Sequence, residues 1–200
     1  EARLMEQLGE WVLRAACNAN RNWTKIVSRR ISVAINVASD QFREGNLYAL
    51  LQDVVSATRC DPRNIMLEIT ERALMDEAEQ SVATMREIKD IGIKFSIDDF
   101  GTGYSSLSYL KRFPLDELKI DRSFVQDVAS EASDVAIVKA IISLARNLGL
   151  DAVAEGVETN EQLAALREYG CSKYQGYLFS KPVPEDEWLA LLSKNEAFNS

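Results

Sequence analysis

The sequence has 200 residues, of which 46% are hydrophobic and 27% charged, a composition typical of one globular domain with a sizeable core. Its formal charge of −8 excludes a nucleic-acid polymer as the expected partner, because a polyanion would be repelled. The absence of histidine excludes Ser-His-Asp hydrolysis, Cys-His hydrolysis and histidine-ligated zinc, so catalysis would have to use carboxylates, amides, lysine and hard metals.

In chain order, the pattern predicts a helix followed by alternating strands and helices. The first helix, Leu4 to Asn20, has its apolar residues on one stripe. Six strands are predicted at Ile31 to Val37, Asn64 to Ile69, Ile93 to Ile97, Glu117 to Ile120, Asp151 to Ala154 and Lys173 to Leu178. The helices between them are predicted at Leu47 to Ala57, Glu77 to Ile91, Ser105 to Lys111, Asp134 to Leu148 and Asn160 to Tyr169. This alternation predicts an α/β fold of parallel strands joined by crossover helices.

Polar side chains lie at or just beyond the C-terminal ends of nearly all the predicted strands. They are Asn36, Glu68, Asp98, Asp99, Lys119, Asp121, Glu155 and Gln175. A barrel brings all strand ends to one mouth, whereas an open doubly wound sheet would gather ligand contacts near one switch point. The pattern therefore favours a modified (β/α)8 TIM-like barrel, formed as a single domain over residues 1–200. Because eight strands need about two more than six, we expect a barrel that is incomplete at its N-terminus.

Cysteine content and hydropathy indicate the compartment. Cys17, Cys60 and Cys171 form no CxxC motif and are expected to be buried free thiols in a reducing cytoplasm. No apolar stretch reaches the roughly 18 to 20 residues of a membrane span. We therefore expect a cytoplasmic chain without a membrane segment, although regions outside it could anchor a longer protein.

Asp98 and Asp99 close the third predicted strand and precede a loop that contains Gly101 and Gly103. At the end of a strand both carboxylates can reach one metal cluster. Asp98 would then bridge two hard cations such as Mg²⁺ or Mn²⁺, and Asp99 would bind one of them. The structural alternative is a helix-capping aspartate before an ordinary loop.

Other strand ends offer further candidates, each with a structural alternative. Glu68 is a candidate metal ligand, and Glu71 could support the glycine-containing loop or cap the next helix. Asn36 offers a carbonyl oxygen to a hard metal, but asparagine is also common in turns. Lys119 and Asp121 face the same way, and an inward lysine could orient a water or offset phosphoryl charge, unless it forms only a structural ion pair.

The last two strands add three candidates. Glu155 follows an apolar strand and could complete a second metal site, whereas Glu158 would support it or cap the next helix. Gln175 offers an amide to a base or a phosphate. We assign Gln175 and Glu158, together with Asp121, to substrate binding.

Six segments together resemble the EAL family of bacterial cyclic di-GMP phosphodiesterases, over about Leu4 to Leu192. They are Ile35-Asn36-Val37, Leu67-Glu68-Ile69-Thr70-Glu71, the run Asp98 to Leu107, Leu118-Lys119-Ile120-Asp121, Ala154-Glu155-Gly156-Val157-Glu158-Thr159 and Gln175-Gly176-Tyr177-Leu178-Phe179. The run from Asp98 to Leu107 is the most specific of them. All six occur in the order and the approximate spacing of the family.

The resemblance implies a two-metal (β/α)8 barrel that hydrolyses cyclic di-GMP to linear pGpG in second-messenger signalling. Asn36, Glu68 and Asp98 match the ligands of a first Mg²⁺ or Mn²⁺. Asp98, Asp99 and Glu155 match the ligands of a second. Lys119 matches the lysine that positions the attacking water, and Glu71 matches the glutamate that steadies the loop after Asp99. Calcium is expected to inhibit, because its longer and looser coordination would separate the bridged groups.

Two departures from the family pattern affect the expected activity. Ala38 stands where the family often has serine, and the Glu-Ala-Leu signature, with its metal-binding glutamate and nearby arginine, is absent from the expected place. We therefore expect less than full activity from this isolated chain. The expected partners are cyclic di-GMP, a second copy in a homodimer, and sensory or GGDEF domains upstream.

Two other functions remain open at this stage. The first is a catalytically impaired receptor that binds cyclic di-GMP without cleaving it. The second is a barrel that processes sugar phosphates or glycosides with paired carboxylates, which leaves Asn36, Lys119 and Glu155 unexplained.

Overall fold

The computed structural model describes residues 2–27, 30–43, 46–76, 78–103 and 107–194. Six strands are present: β1 (Val33–Asn36), β2 (Ile65–Thr70), β3 (Lys94–Phe100), β4 (Glu117–Ile120), β5 (Asp151–Ala154) and β6 (Lys173–Tyr174). The helices are α1 (Ala2–Val27), α2 (Ser39–Arg43), α3 (Leu47–Thr58), α4 (Glu71–Asp76), α5 (Ala78–Asp90), α6 (Leu107–Leu110), α7 (Arg122–Val125), α8 (Ala132–Leu148), α9 (Asn160–Glu168) and α10 (Glu185–Lys194). A short 3₁₀ helix, Pro62–Asn64, precedes β2.

The strands form one parallel sheet in the order β1-β2-β3-β4-β5-β6. A doubly wound sheet reverses its strand order at a switch point, and this sheet has no reversal. Sequential parallel order without reversal is the arrangement of a barrel wall. The predicted barrel-type α/β fold is confirmed, as an incomplete barrel: within the described residues, β1 and β6 each pair with only one strand.

Side chains alternate along the strands between a helix-covered face and an inner face. On β3 the buried Phe95 and Ile97 alternate with Ser96 and Asp98, and on β4 Leu118 and Ile120 alternate with Lys119. The apolar set joins the core formed with the helices, where a fully buried leucine, isoleucine or phenylalanine stabilises the fold by about 1.5–3 kcal/mol. The inner face is consequently polar, in contrast to the apolar filling of ordinary TIM barrels.

Each predicted strand and helix has a counterpart of the same type in the structure, and several boundaries differ. The first helix extends to Val27, beyond the predicted end at Asn20. The predicted starts of two helices, at Glu77 and Ser105, lie outside the described residues. The helices α2, α4, α7 and α10 were not predicted as elements. All three cysteines are free and buried, as predicted. No helix among the described residues is long and apolar enough to cross a membrane.

The prediction of a strand from Lys173 to Leu178 was wrong beyond Tyr174. After Gln175 the chain passes directly against the loop that follows β5. A Cβ atom on Gly176 would lie 2.1 Å from the carbonyl oxygen of Val157, so only glycine fits there. The backbone nitrogen of Leu178 donates to the same oxygen at 3.0 Å, which turns the chain out of the sheet.

Replacing Gly176 with alanine tests this close approach. We expect Gly176→Ala to lower the free energy of unfolding by about 3 kcal/mol, the upper end for overpacking, because the Val157 backbone cannot move aside easily. Gly149→Ala is the matched control: that glycine has a φ of 72° but no atom near its added Cβ, so a loss of only about 1 kcal/mol is expected. Equal losses in urea unfolding would contradict the argument.

Candidate active site

The centre of the mouth is a buried lysine surrounded by three carboxylates. The Nζ atom of Lys119 lies 2.9 Å from Oε2 of Glu68, 3.2 Å from Oδ1 of Asp98 and 2.6 Å from Oε1 of Glu155. The Lys119 side chain is 4% exposed, and the three carboxylates are 9% to 18% exposed. The sequence pointed to an inward lysine among acidic groups, and Lys119 lies in that position. It also forms ion pairs with these groups.

Neighbouring strands bring these four side chains together. Glu68 lies on β2, Asp98 on β3 and Lys119 on β4, and Glu155 follows β5 directly. Because the strands are parallel, their C-terminal ends lie at the same edge of the sheet. The backbone nitrogen of Glu155 donates to the carbonyl oxygen of Ile120 at 3.1 Å, which fixes Glu155 beside the end of β4.

A β-bulge at the end of β3 aims both aspartates at the mouth. Ile97 pairs with Leu118 while Phe100 pairs with Ile120, so β3 carries one extra residue between these pairs. Within the bulge, Asp99 has a φ of 53°, in the left-handed region that most residues avoid. Asp98 and Asp99 would otherwise point to opposite faces of the sheet.

The converging oxygens form a set that fits hard divalent cations. Asp98, Asp99 and Glu155 each offer a carboxylate oxygen, and the three atoms lie within 4.8 Å of one another. Oxygen donors of this kind suit Mg²⁺, Mn²⁺ or Ca²⁺. Lys119 already places a positive charge among Glu68, Asp98 and Glu155, which shows that this position favours a cation.

Burial and mutual charge shift the pKa values of the cluster. Burial alone would lower the pKa of Lys119, but its hydrogen bonds and charge interactions with Glu155 and Glu68 outweigh burial and raise it. The pKa of Glu155 is raised, first by burial and then by the charges of Asp98 and Glu68, although Lys119 lowers it. The pKa of Asp99 is also raised, first by burial and then by the charges of Asp98 and Asp121. The carboxylates therefore repel one another and hold the lysine in its charged form.

Glu71 supports the loop that follows Asp99. The Glu71 side chain is buried at the start of α4, and its Oε2 accepts a hydrogen bond from the backbone nitrogen of Gly101 at 3.2 Å. Gly103 lies close enough that an added Cβ would be 3.6 Å from the carboxyl group. This contact connects the end of β2 to the loop beside the aspartates.

The remaining predicted site residues lie around the mouth in different settings. Asn36 is exposed at the end of edge strand β1 and pairs in register with Glu68. Asp121 caps α7, accepting from the backbone nitrogen of Ser123 at 2.9 Å. Glu158 forms an exposed ion pair with Arg122 at 2.7 Å. Gln175 lines a separate pocket with aromatic side chains, among them Trp23, Tyr177 and Trp188.

Two residues, one on the inner face of the sheet and one beside the mouth, were not singled out from the sequence. Glu117 lies two positions before Lys119 on β4 and therefore faces the same side; burial raises the pKa of its carboxyl group. The same alternation that identified Lys119 could have identified it. Arg72 is exposed and lines a cavity beside Asp99, but a basic residue one position after Glu71 carries no recognisable sequence signal.

Comparison with known proteins gives one consistent family. The EAL domain profile matches residues 1–182. The bifunctional diguanylate cyclase/cyclic di-GMP phosphodiesterase MucR of Pseudomonas aeruginosa is 42% identical over 187 residues, covering 94% of this chain and 27% of that protein. The cyclic di-GMP phosphodiesterase NbdA of the same organism is 43% identical over 181 residues, 90% of this chain and 23% of that protein. The chain thus spans about a quarter of the length of these relatives.

Solved structures agree with the sequence relatives. The MucR phosphodiesterase in complex with cyclic di-GMP has a TM-score of 0.90 and 41% identity, covering 94% of this chain and 76% of that one. The manganese and cyclic di-GMP complex of Klebsiella pneumoniae BlrP1 has a TM-score of 0.80 and 29% identity, covering 90% of this chain and 45% of that one. Both structures hold cyclic di-GMP, and the second also holds manganese.

Removing the central lysine should destabilise the chain in a way that a metal reverses. Lys119→Met leaves Glu68, Asp98 and Glu155 facing one another without a cation, and we expect a loss of about 3–5 kcal/mol in the free energy of unfolding without metal. Saturating Mn²⁺ should recover most of that loss. Lys111→Met, at an exposed position, is the control and should change stability little. A loss of stability that Mn²⁺ does not reverse would contradict the inference that the metal takes the position of the lysine ammonium.

Stabilisation by metal should depend on pH. Because the folded-state pKa values of Asp99 and Glu155 are raised, the metal-free folded state loses stability as pH rises above the ordinary carboxyl pKa of about 4. Bound Mn²⁺ replaces those protons, so the increase in melting temperature should be larger at about pH 7 than at about pH 5. Glu155→Gln should reduce this difference. Equal increases at both pH values would show that these carboxylates do not bind the metal.

Proposed function

The chain belongs to the EAL domain family, and on that premise we propose that it hydrolyses cyclic di-GMP to linear pGpG with two divalent cations, Mg²⁺ or Mn²⁺. The observation that carries the proposal is the convergence of Glu68, Asp98 and Glu155 on Lys119, with Asp99 beside them. Relatives over more than 90% of this chain are named as cyclic di-GMP phosphodiesterases or were solved with that ligand.

The proposed ligands are the oxygen-bearing side chains at the strand ends. Asn36, Glu68 and Asp98 would hold one cation, and Asp98, Asp99 and Glu155 the other. Two such cations, when bound, supply Lewis-acid activation of water and offset charge on the phosphoryl oxygens. The bulge at Asp99 allows two consecutive residues to contribute to one site.

Lys119 would supply a positive charge at this site. Without metal, its contacts with Glu155 and Glu68 raise its pKa, so the ammonium stays protonated at neutral pH and donates hydrogen bonds. Buried at the floor of the mouth, it can orient the attacking water and stabilise charge that develops on the phosphoryl group.

Glu71 and three outer residues would shape the substrate side. Glu71 holds the loop after β3 through Gly101, and this contact would keep Asp99 in position. Asp121, Glu158 and Gln175 are proposed to contact the substrate around the mouth. Asp121 lies beside the cluster, since its charge contributes to the raised pKa of Asp99.

A receptor that binds cyclic di-GMP without turnover is the second candidate. The position of Asn36 favours this candidate. Asn36 is exposed on edge strand β1, and beside that strand the inner face of the sheet is open within the described residues. A first cation held there by Asn36, Glu68 and Asp98 alone would be bound weakly. Binding of the dinucleotide would then persist while hydrolysis is lost.

The proposed setting is a signalling protein of the cytoplasm. The relatives are several times longer than this chain, and one is named as a bifunctional enzyme. We propose that sensory or GGDEF domains accompany this domain in its natural protein and that it forms a homodimer. We also propose that Ca²⁺ inhibits it, because the looser coordination of Ca²⁺ would hold the reacting groups too far apart.

A hydrolysis assay tests the proposal. The chain, and a version extended upstream, should convert cyclic di-GMP to pGpG in Mg²⁺ or Mn²⁺, with the higher rate in the extended form, and Ca²⁺ should suppress the reaction. Asp98→Asn should lower the rate at least about 100-fold, because one residue serves both cations. Asp53→Asn, at an exposed position on α3, is the matched control. Binding without turnover would favour the receptor, and no binding by either form would overturn both.

A further inference from the structure

A cavity adjoins the acidic cluster on the side of β2 and β3. It has a volume of about 580 Å³, within the range of small-ligand pockets, and its lining includes Thr70, Arg72, Asp99 and Thr102. Both strands that border it are paired on both sides, so the cavity does not depend on the open edges of the sheet. Because Asp99 belongs to both the cavity and the cluster, a ligand held at the cluster can extend into this space.

Arg72 is the cation of this cavity that remains available to a ligand. It is exposed, and within the part of the chain that the structure describes no carboxylate lies in ion-pair distance of it. The other cations around the mouth are engaged: Lys119 by three carboxylates and Arg122 by Glu158 at 2.7 Å. Lys181 lies over the Tyr177 ring in the separate aromatic pocket.

The charge of the proposed substrate requires a second positive group. Cyclic di-GMP carries two phosphodiesters, and only one of them can occupy the cation cluster during cleavage. The carboxylates of the cluster cancel most of the charge of two divalent cations, which leaves little attraction for the second phosphodiester. We propose that Arg72 binds the phosphodiester that is not cleaved; this inference rests on the proposed function and adds a specificity-determining residue to it.

The chemistry of the arginine side chain suits this role. A guanidinium presents parallel N–H donors that match two phosphate oxygens, whereas lysine offers a point charge. A contact with a phosphate that does not react is equally strong before and during the reaction. Its loss should therefore raise KM and leave kcat nearly unchanged.

The test compares Arg72→Gln with Arg86→Gln, a control at an exposed position on α5 that lines none of the cavities near the mouth. Calorimetry in Ca²⁺ measures cyclic di-GMP binding without turnover. Arg72→Gln should weaken binding about tenfold, the lower end for a hydrogen bond to a charged group, because the side chain is exposed. Arg72→Lys should recover part of the loss, and Arg86→Gln should bind as the unmodified chain does.

An analogue with one uncharged methylphosphonate linkage assigns the contact to a phosphate. The unmodified chain should bind it about tenfold more weakly than cyclic di-GMP, and Arg72→Gln should add no further loss. A further loss would overturn the assignment, as would equal binding of cyclic di-GMP by Arg72→Gln and Arg86→Gln. Failure of the unmodified chain to bind cyclic di-GMP would instead overturn the proposed function itself.

Discussion

The mouth of this barrel depends on the balance between buried carboxylates and the cations that offset their charge. Glu68, Asp98 and Glu155 are largely removed from water, and each lies within 3.2 Å of the Lys119 ammonium. Isolated buried carboxylates would cost several kcal/mol each, so the lysine makes the arrangement possible in the absence of metal. The same repulsion makes the site favourable for divalent cations. A metal bound there would relieve this electrostatic cost of the metal-free fold.

This balance requires a specific departure from regular strand geometry. A regular β3 would send Asp98 and Asp99 to opposite faces, and only one could join the cluster. The bulge between Ile97 and Phe100 removes that restriction at the cost of a left-handed Asp99. Glu71 stabilises the loop after the bulge by accepting a hydrogen bond from the Gly101 backbone. The contact couples the end of β2 to the geometry of the site.

Much of this arrangement could be predicted from the sequence, since it follows from the side-chain period of strands. The order of the elements was enough to predict that polar residues end the strands. The period of two along a strand was enough to predict that Lys119 and Asp121 share a direction. The bulge could not be predicted, because it is a mismatch of register between β3 and β4 and leaves no local pattern. The early end of β6 was not predicted for a similar reason. It results from contact between Gly176 and the Val157 backbone, which are distant in sequence.

Stability and chemistry are carried by opposite faces of the same strands. The helix-facing residues, such as Leu67, Phe95 and Leu118, are fully buried and supply the hydrophobic stabilisation. The inner face holds Glu68, Ser96 and Lys119, which contribute little apolar burial; there the carboxylates repel one another and Lys119 offsets their charge. A change to an inner-face charge should therefore alter metal binding and pH response as well as stability, whereas a cavity in the outer layer should lower stability and leave metal binding little changed. Because the period of two separates the layers, the mouth can vary its ligands while the sheet keeps its core.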